Sequence, residues 1–159
     1  MASRAKAYKP ASRKFSVSNK RIGIAVAQWH NDITEKLLKG AIDVLQKGGI
    51  QPSDIIIMQA PGSFELPLTA QWLIKDSKAD AVLCLGCIIK GETPHFDYIS
   101  QAVAGGVMKV GLEYNIPVIF GVLTTNTVQQ ARERSGGKHG NKGADAAVAA
   151  LEMLEAKKH

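Results

Sequence analysis

The chain has 159 residues, enough for one domain with a single hydrophobic core, and its 45% apolar content is ordinary for a globular protein. Its 20 Lys and Arg outnumber 14 Asp and Glu, for a formal net charge of +6, but seven of the cations (Arg4, Lys6, Lys9, Arg13, Lys14, Lys20, Arg21) fall in the first 21 residues, which hold no acid. The other 13 cations face 14 anions with no basic stripe among aromatics, which argues against nucleic acid as a partner, and no apolar run approaches the roughly 20 residues that cross a bilayer.

Residues 1–20 read as a basic arm, flexible or docked on a neighbouring subunit. The arm lacks the apolar centre of a secretory signal, although an acid-poor start with Ser and Arg also suits a transit peptide. Residues 21–159 read as one domain. "RIGIAVAQ" is the first of four short runs rich in β-branched residues, followed by "DIIIMQA", "ADAVLCLGCII" and "PVIFGVLTT". Continuous rather than alternating apolarity predicts parallel strands covered on both faces.

Just past the first run stands Trp29, between Gln28 and His30-Asn31. A core tryptophan is the default reading, but these neighbours are too polar for a simple core, and an indole there can stack on a planar heterocycle. Ile33, Leu37, Leu38, Ala41, Ile42 and Leu45 then form a helical stripe that ends at Gly48-Gly49. After the second run, "APGSFELP" opens a helix expected over 63–75, with Pro67 tolerable only near its first turn. Gly62 and Ser63 offer amides and a hydroxyl. Glu65 either complements the helix dipole or accepts hydrogen bonds from a polyhydroxylated ligand.

The third run carries Cys84 and Cys87 as "CLGC". Residues three apart on a strand point to opposite faces, whereas redox pairs favour a helix N-terminus. No second ligand pair exists for a structural zinc, so the expectation is two buried free thiols in a reducing cytosol. Next comes "GETPHFDY", residues 91–98. Thr93 is the expected cap of a third helix, and Pro94 suits its first position. Read alone, this is more often a turn with a cap than an anion site. The alternative is that Gly91 permits close approach, the Glu92 and Thr93 amides and the Thr93 hydroxyl hold an anion at a helix N-terminus, and His95 carries protons beside it.

After the fourth run, Asn126 is the expected cap of a short helix. "RERSGGKHGNKG" then sets Arg132, Arg134, Lys138 and Lys142 among four glycines. It lacks the G-x-x-x-x-G-K-[ST] spacing of a phosphate loop and follows a helix. Arg134 is either a bidentate phosphate partner or a solvated cation at a helix end. A fifth, Ala-rich helix is expected over 144–157.

Strand–helix alternation predicts an α/β fold: a three-layer α/β/α sandwich, flavodoxin-like and doubly wound, with a mostly parallel sheet. Ligands of such folds bind beyond the carboxyl ends of the strands, where this chain's unusual residues gather.

Together "PGSFELP", "GCIIKGETPHFDY", "PVIFGVLTT" and "ERSGGKHGNKG", in that order, resemble the 6,7-dimethyl-8-ribityllumazine synthase family of riboflavin biosynthesis, from about Arg21 onward. The resemblance implies condensation of two small molecules, 5-amino-6-(D-ribitylamino)uracil and 3,4-dihydroxy-2-butanone 4-phosphate. By the same resemblance Trp29 stacks on the pyrimidine, Ser63, Phe64 and Glu65 hold the ribityl chain and ring, and the backbone of Cys87, Ile88 and Ile89 hydrogen-bonds the uracil edge. Glu92, Thr93 and Arg134 match the phosphate site, with Lys138 and Lys142 as secondary candidates. His95 matches the proton-transferring histidine, and Phe120 an aromatic contributed by a neighbouring subunit. The resemblance further implies a cytoplasmic homo-oligomer built on a pentamer, with no metal or redox cofactor. Trp29 departs from the phenylalanine of many members, His30 from the usual asparagine, and Glu92 from a commonly small residue. The rival expectation is a non-catalytic flavin- or lumazine-binding module on the same scaffold. Trp29 favours it by stacking a larger ring, while His95 and Arg134 argue against it, since a pure binder needs neither a proton carrier nor a phosphate clamp.

Overall fold

The computed structural model describes residues 14–159. The arm expectation, flexible or docked on a neighbour, therefore lies mostly outside the described residues. Within its last part, Val17 is fully buried, Phe15 packs on the same core, and the Ser16 amide donates to Glu155 Oε2 at 3.1 Å.

Four strands, β1 (Ile22–Ala27), β2 (Ile55–Ala60), β3 (Ala81–Ile89) and β4 (Val118–Thr125), form one parallel sheet in the order β2-β1-β3-β4. The crossovers are α1 (Asn31–Lys47), α2 (Leu66–Lys75) and α3 (His95–Tyr114); α4 (Val128–Glu133) and α5 (Lys142–Lys157) follow β4. One helical layer pairs α1 with α5 and the other pairs α2 with α3, so each sheet face has its own core. Strand order reverses between β1 and β3, the switch point where doubly wound sheets open a crevice.

On α1, Ile33, Leu37, Ala41 and Leu45 are buried at four-residue spacing. Gly49 ends that helix in the left-handed region at φ 101°, and the following Ile50 amide donates back to Leu45. Alanines 146, 147 and 150 keep the facing side of α5 thin. Gly143 has no room for a methyl, because its Cβ would overlap the Leu37 carbonyl of α1.

Coverage on both faces holds for the central strands, β1 wholly buried and β3 nearly so. It fails at the edges: β2 exposes Ile57, and β4 exposes Phe120 at 41%. Edge strands have a neighbour on one side only, so helices wide enough for the centre leave their outer residues open. Two cap expectations also shift by one residue. Pro94, not Thr93, occupies the cap position of α3, without a side-chain bond. Thr127, not Asn126, caps α4 by accepting from the Gln130 amide, while the Asn126 amide donates to Gln130 Oε1. The glycine-rich stretch is a small antiparallel hairpin, β5 (Ser135–Gly137) and β6 (Gly140–Asn141), with Gly136 and Gly140 at φ 111° and 78°.

Candidate active site

The carboxyl end of β1 is tied to that of β2. Gln28 and Trp29 donate their amides to the Ala60 and Pro61 carbonyls, and Gln28 Nε2 donates to Gln59 Oε1 at 2.8 Å. His30 then turns the chain into α1 from the left-handed region, φ 59° and ψ 47°, which histidine and asparagine enter more readily than most residues. The Trp29 side chain is left 72% exposed, so it is no core tryptophan.

At the end of β2 the chain makes a single 3-10 turn, Ser63–Glu65, before α2. Glu65 folds back so that its Oε2 accepts from the Gly62 amide at 3.1 Å, which fixes the turn. Phe64 projects outward at 59% exposure. Ser63 is buried instead, its hydroxyl so close to Gly86 of β3 that any Cβ there would collide with it. Gly86 is thus required by the serine beneath it.

β3 outruns its neighbour on one side. Its register with β1 ends at Val26↔Leu85, whereas its register with β4 continues to Ile89↔Thr125. Among the described residues, 86–89, including Cys87, Ile88 and Ile89, therefore present one backbone edge without a strand partner. Such an edge offers alternating N–H and C=O groups to a planar heterocycle with amide-like edges. The chain then crosses exposed Lys90, Gly91, Glu92 and Thr93 to α3, where exposed His95 opens the first turn and the Asp97 amide already donates to the Pro94 carbonyl at 3.0 Å. Trp29, residues 62–65, the β3 edge and His95 thus share one rim.

Arg134 occupies the C-terminal cap of α4. It lines a groove of about 400 Å³ along the outer side of β4, with Phe120, Thr124, Thr125, Lys142 and Asp145. Its Nη1 donates to the Gln130 carbonyl at 3.0 Å. The two lysines of the stretch already have acidic partners, Lys138 with Glu133 at 3.2 Å and Lys142 with Asp145 at 3.0 Å. Sequence reasoning singled out the cations of this stretch and passed over Glu133, which faces Lys138 and Arg134 among them; an acid in a basic, glycine-rich run was the available signal.

Cys84 and Cys87 are free and buried, one in each core, so their side chains leave opposite sheet faces. Burial pushes both thiols up to about 12, with the Asp32 carboxylate adding to the effect at Cys87. Such thiols are poor nucleophiles. Among the described residues no group of three or more His, Cys, Asp and Glu is placed to hold a metal, and no helix is long and apolar enough to cross a membrane.

Comparison with known proteins adds three relatives and a family. The sequence model described as 6,7-dimethyl-8-ribityllumazine synthase matches residues 19–158. A protein of that name from Cytophaga hutchinsonii is 55% identical over 139 residues, 87% of each chain. Another from Porphyromonas gingivalis is 53% identical over 133 residues, 84% of this chain and 83% of its own. A third from Parabacteroides distasonis is 50% identical over 137 residues, 86% of each.

Proposed function

The chain belongs to the 6,7-dimethyl-8-ribityllumazine synthase family, and we propose that it condenses 5-amino-6-(D-ribitylamino)uracil with 3,4-dihydroxy-2-butanone 4-phosphate in riboflavin biosynthesis, releasing phosphate and water. The observation that carries this reading is the family match across residues 19–158, which spans every element of the rim. A non-catalytic binding module on the same scaffold is not favoured, since the relatives are named as synthases.

The uracil edge pairs with the open backbone of residues 86–89 while its ring stacks on Trp29. Phe64 flanks the ring, and Ser63 and Glu65 serve the ribityl hydroxyls. Ser63 is mostly buried, so its contribution is confined to its amide and the edge of its hydroxyl. The phosphate sits at the start of α3 on the Glu92 and Thr93 amides and the Thr93 hydroxyl, with Arg134 closing on it. Glu92 is exposed and lends only its amide. Once both substrates are held, the amine attacks the ketone, water leaves to give an imine, phosphate is eliminated, and the second nitrogen closes the ring with loss of another water. Each step moves a proton, and His95, exposed beside the phosphate, relays it. Holding the partners together supplies much of the acceleration.

Arg134 and Phe120 share the β4 groove, whereas His95 and Trp29 belong to the rim. The groove therefore completes the rim of an adjacent copy, and both residues are contributed from the neighbour. A larger apolar groove of about 700 Å³ between α3, β4 and α5 adjoins Phe120 and carries exposed Met108, Leu112 and Met153. The β2 side exposes a different apolar set, Ile57, Leu68 and Trp72. Two unlike surfaces make head-to-tail contacts, which close into rings, and the family's ring is a pentamer. Two buried, unpaired thiols suit the cytoplasm.

The direct test mixes both substrates with the protein and follows lumazine fluorescence. A rate no higher than that of the uncatalysed condensation rejects the enzyme.

A further inference from the structure

Glu133 ends α4, and its carboxylate is the meeting point of a cluster built by the β5–β6 hairpin. Oε1 lies 3.2 Å from Lys138 Nζ and 3.4 Å from Gln129 Nε2. Oε2 lies 3.8 Å from His139 Nε2 and 3.9 Å from Arg134 Nη1. The backbone draws these groups together, since the His139 amide donates to the Glu133 carbonyl at 2.8 Å and the Lys142 amide to the Arg134 carbonyl at 2.9 Å. Its side chain is only 18% exposed.

We propose that Glu133 is the resident counter-anion of the phosphate subsite, holding Arg134 between turnovers and weakening the grip on inorganic phosphate so that this product leaves. The proposal rests on the reading of Arg134 as the phosphate clamp. The contacts differ in a way that suits exchange. Lys138 and Lys142 are committed at 3.2 and 3.0 Å to Glu133 and Asp145, whereas Arg134 stands at the outer limit of an ion pair with Glu133. Among the described residues its guanidinium spends only Nη1, on the Gln130 carbonyl, and the remaining donors of the fork stay available to an oxyanion. An incoming phosphate takes those donors while the carboxylate remains nearby as a repelling charge. When the product dissociates, the carboxylate again neutralises the arginine.

Desolvation pushes the Glu133 carboxyl up, but hydrogen bonds from Lys138 and Gln129 and the charges of Lys138 and His139 outweigh it, so the group lies below the usual carboxylate range. The charged form of Glu133 is thus favoured where it stands. A brace and a counter-anion predict opposite signs. If Glu133 only held the hairpin in shape, neutralising it would loosen Arg134 and weaken phosphate binding. If it competes with phosphate, neutralising it removes a repulsion a few ångströms from the anion and strengthens binding.

The experiment measures product inhibition by inorganic phosphate on the assembled enzyme. Glu133→Gln keeps the length of the side chain and loses its charge. We expect the inhibition constant for phosphate to fall about three- to tenfold, the Michaelis constant for the butanone phosphate to fall alike, and that for the uracil to stay unchanged. Glu133→Asp, which keeps the charge but draws it back, should fall in between, and gives the direction if the glutamine variant does not assemble. An unchanged or raised inhibition constant in these variants overturns the proposal. Arg134→Ala run in parallel keeps the two ideas apart. If it leaves phosphate inhibition unaltered, the clamp reading has failed; if it weakens inhibition while Glu133→Gln does not strengthen it, only the counter-anion role has failed.

Discussion

Trp29 is large, apolar and mostly in solvent, so folding gains little from it, as the proposed stacking role requires. Trp29→Ala should leave thermal stability nearly unchanged. It should weaken binding of the ribitylaminouracil and of riboflavin by about 1–3 kcal/mol, the range for a base stacked on an aromatic; fluorescence titration with riboflavin reads this, and an unaltered dissociation constant removes Trp29 from the site. The two groups assigned around the phosphate separate kinetically. Arg134→Ala removes charge-assisted bonds worth about 1.5–3 kcal/mol each, so the Michaelis constant for the butanone phosphate should rise about ten- to a hundredfold with uracil binding intact. His95→Ala should lower turnover by about a hundredfold or less, the low end for a positioned proton carrier, because imine formation proceeds without a catalyst. If the histidine variant alters only the affinity for the phosphate substrate, His95 is a second clamp. The exposure of Trp29 was legible because its neighbours Gln28, His30 and Asn31 are too polar for a simple core, and Glu65 was legible as a first-turn acid, the folding role that its bond to the Gly62 amide gives it. The burial of Ser63 under β3 and the gathering role of Glu133 were not, since both arise from contacts between segments far apart in the chain.

The strands were the most legible elements, because a parallel strand buried on both faces writes its position as an unbroken apolar run. Caps were less so: Thr93 and Asn126 look like caps by residue type, but the cap positions fall one residue later, on Pro94 and Thr127. The hairpin of 135–141 left no apolar pattern at all, since its short strands are glycine and polar residues held by backbone bonds. Asn141 locks that hairpin in place. Its Oδ1 accepts from the Gly143 and Ala144 amides to cap α5, and its Nδ2 donates to the Lys36 carbonyl on α1 at 2.9 Å. Asn141→Ala should cost about 1–2 kcal/mol of stability in denaturant unfolding, with a larger Michaelis constant for the phosphate substrate because the hairpin carries the Arg134 cluster. The buried Cys84 thiol of β3 adds a pH dependence on the alkaline side. Cys84 is raised from 9.0 to about 12 by burial, so between those values the unfolded thiol has lost a proton that the folded thiol keeps. Unfolding then releases a proton, and stability declines as pH rises through this window, by up to about 1.4 kcal/mol per unit from this group; below it the contribution is flat. Unfolding free energies measured across that range should fall less steeply in Cys84→Ala, and parallel slopes would show that the thiol titrates normally.

At the scale of the whole molecule, the proposed reading has one chain present half a site at the rim and half in the β4 groove. Only the family resemblance pointed to a neighbour, and it did so through Phe120; by residue type Phe120 and Arg134 read as ordinary members of a strand and a helix end, and the groove puts them together beside β4. If neighbouring copies join rim to groove around a ring, each site takes His95 from one subunit and Arg134 from the next. Two defective chains can then repair one another. His95→Ala and Arg134→Ala, each impaired alone, should be unfolded together, mixed one to one and reassembled. With random placement around the ring, about a quarter of the sites receive an intact His95 and an intact Arg134, and about a quarter receive neither. Activity should therefore rise to about a quarter of the wild-type level when the parents are nearly inactive, and the rise should disappear if each variant is reassembled separately and mixed afterwards. A site built within one chain gives a different result: every site then carries one defect, and the mixture stays at the mean of its parents. Sedimentation on the same samples must show closed oligomers, since an active monomer would exclude any site shared between copies.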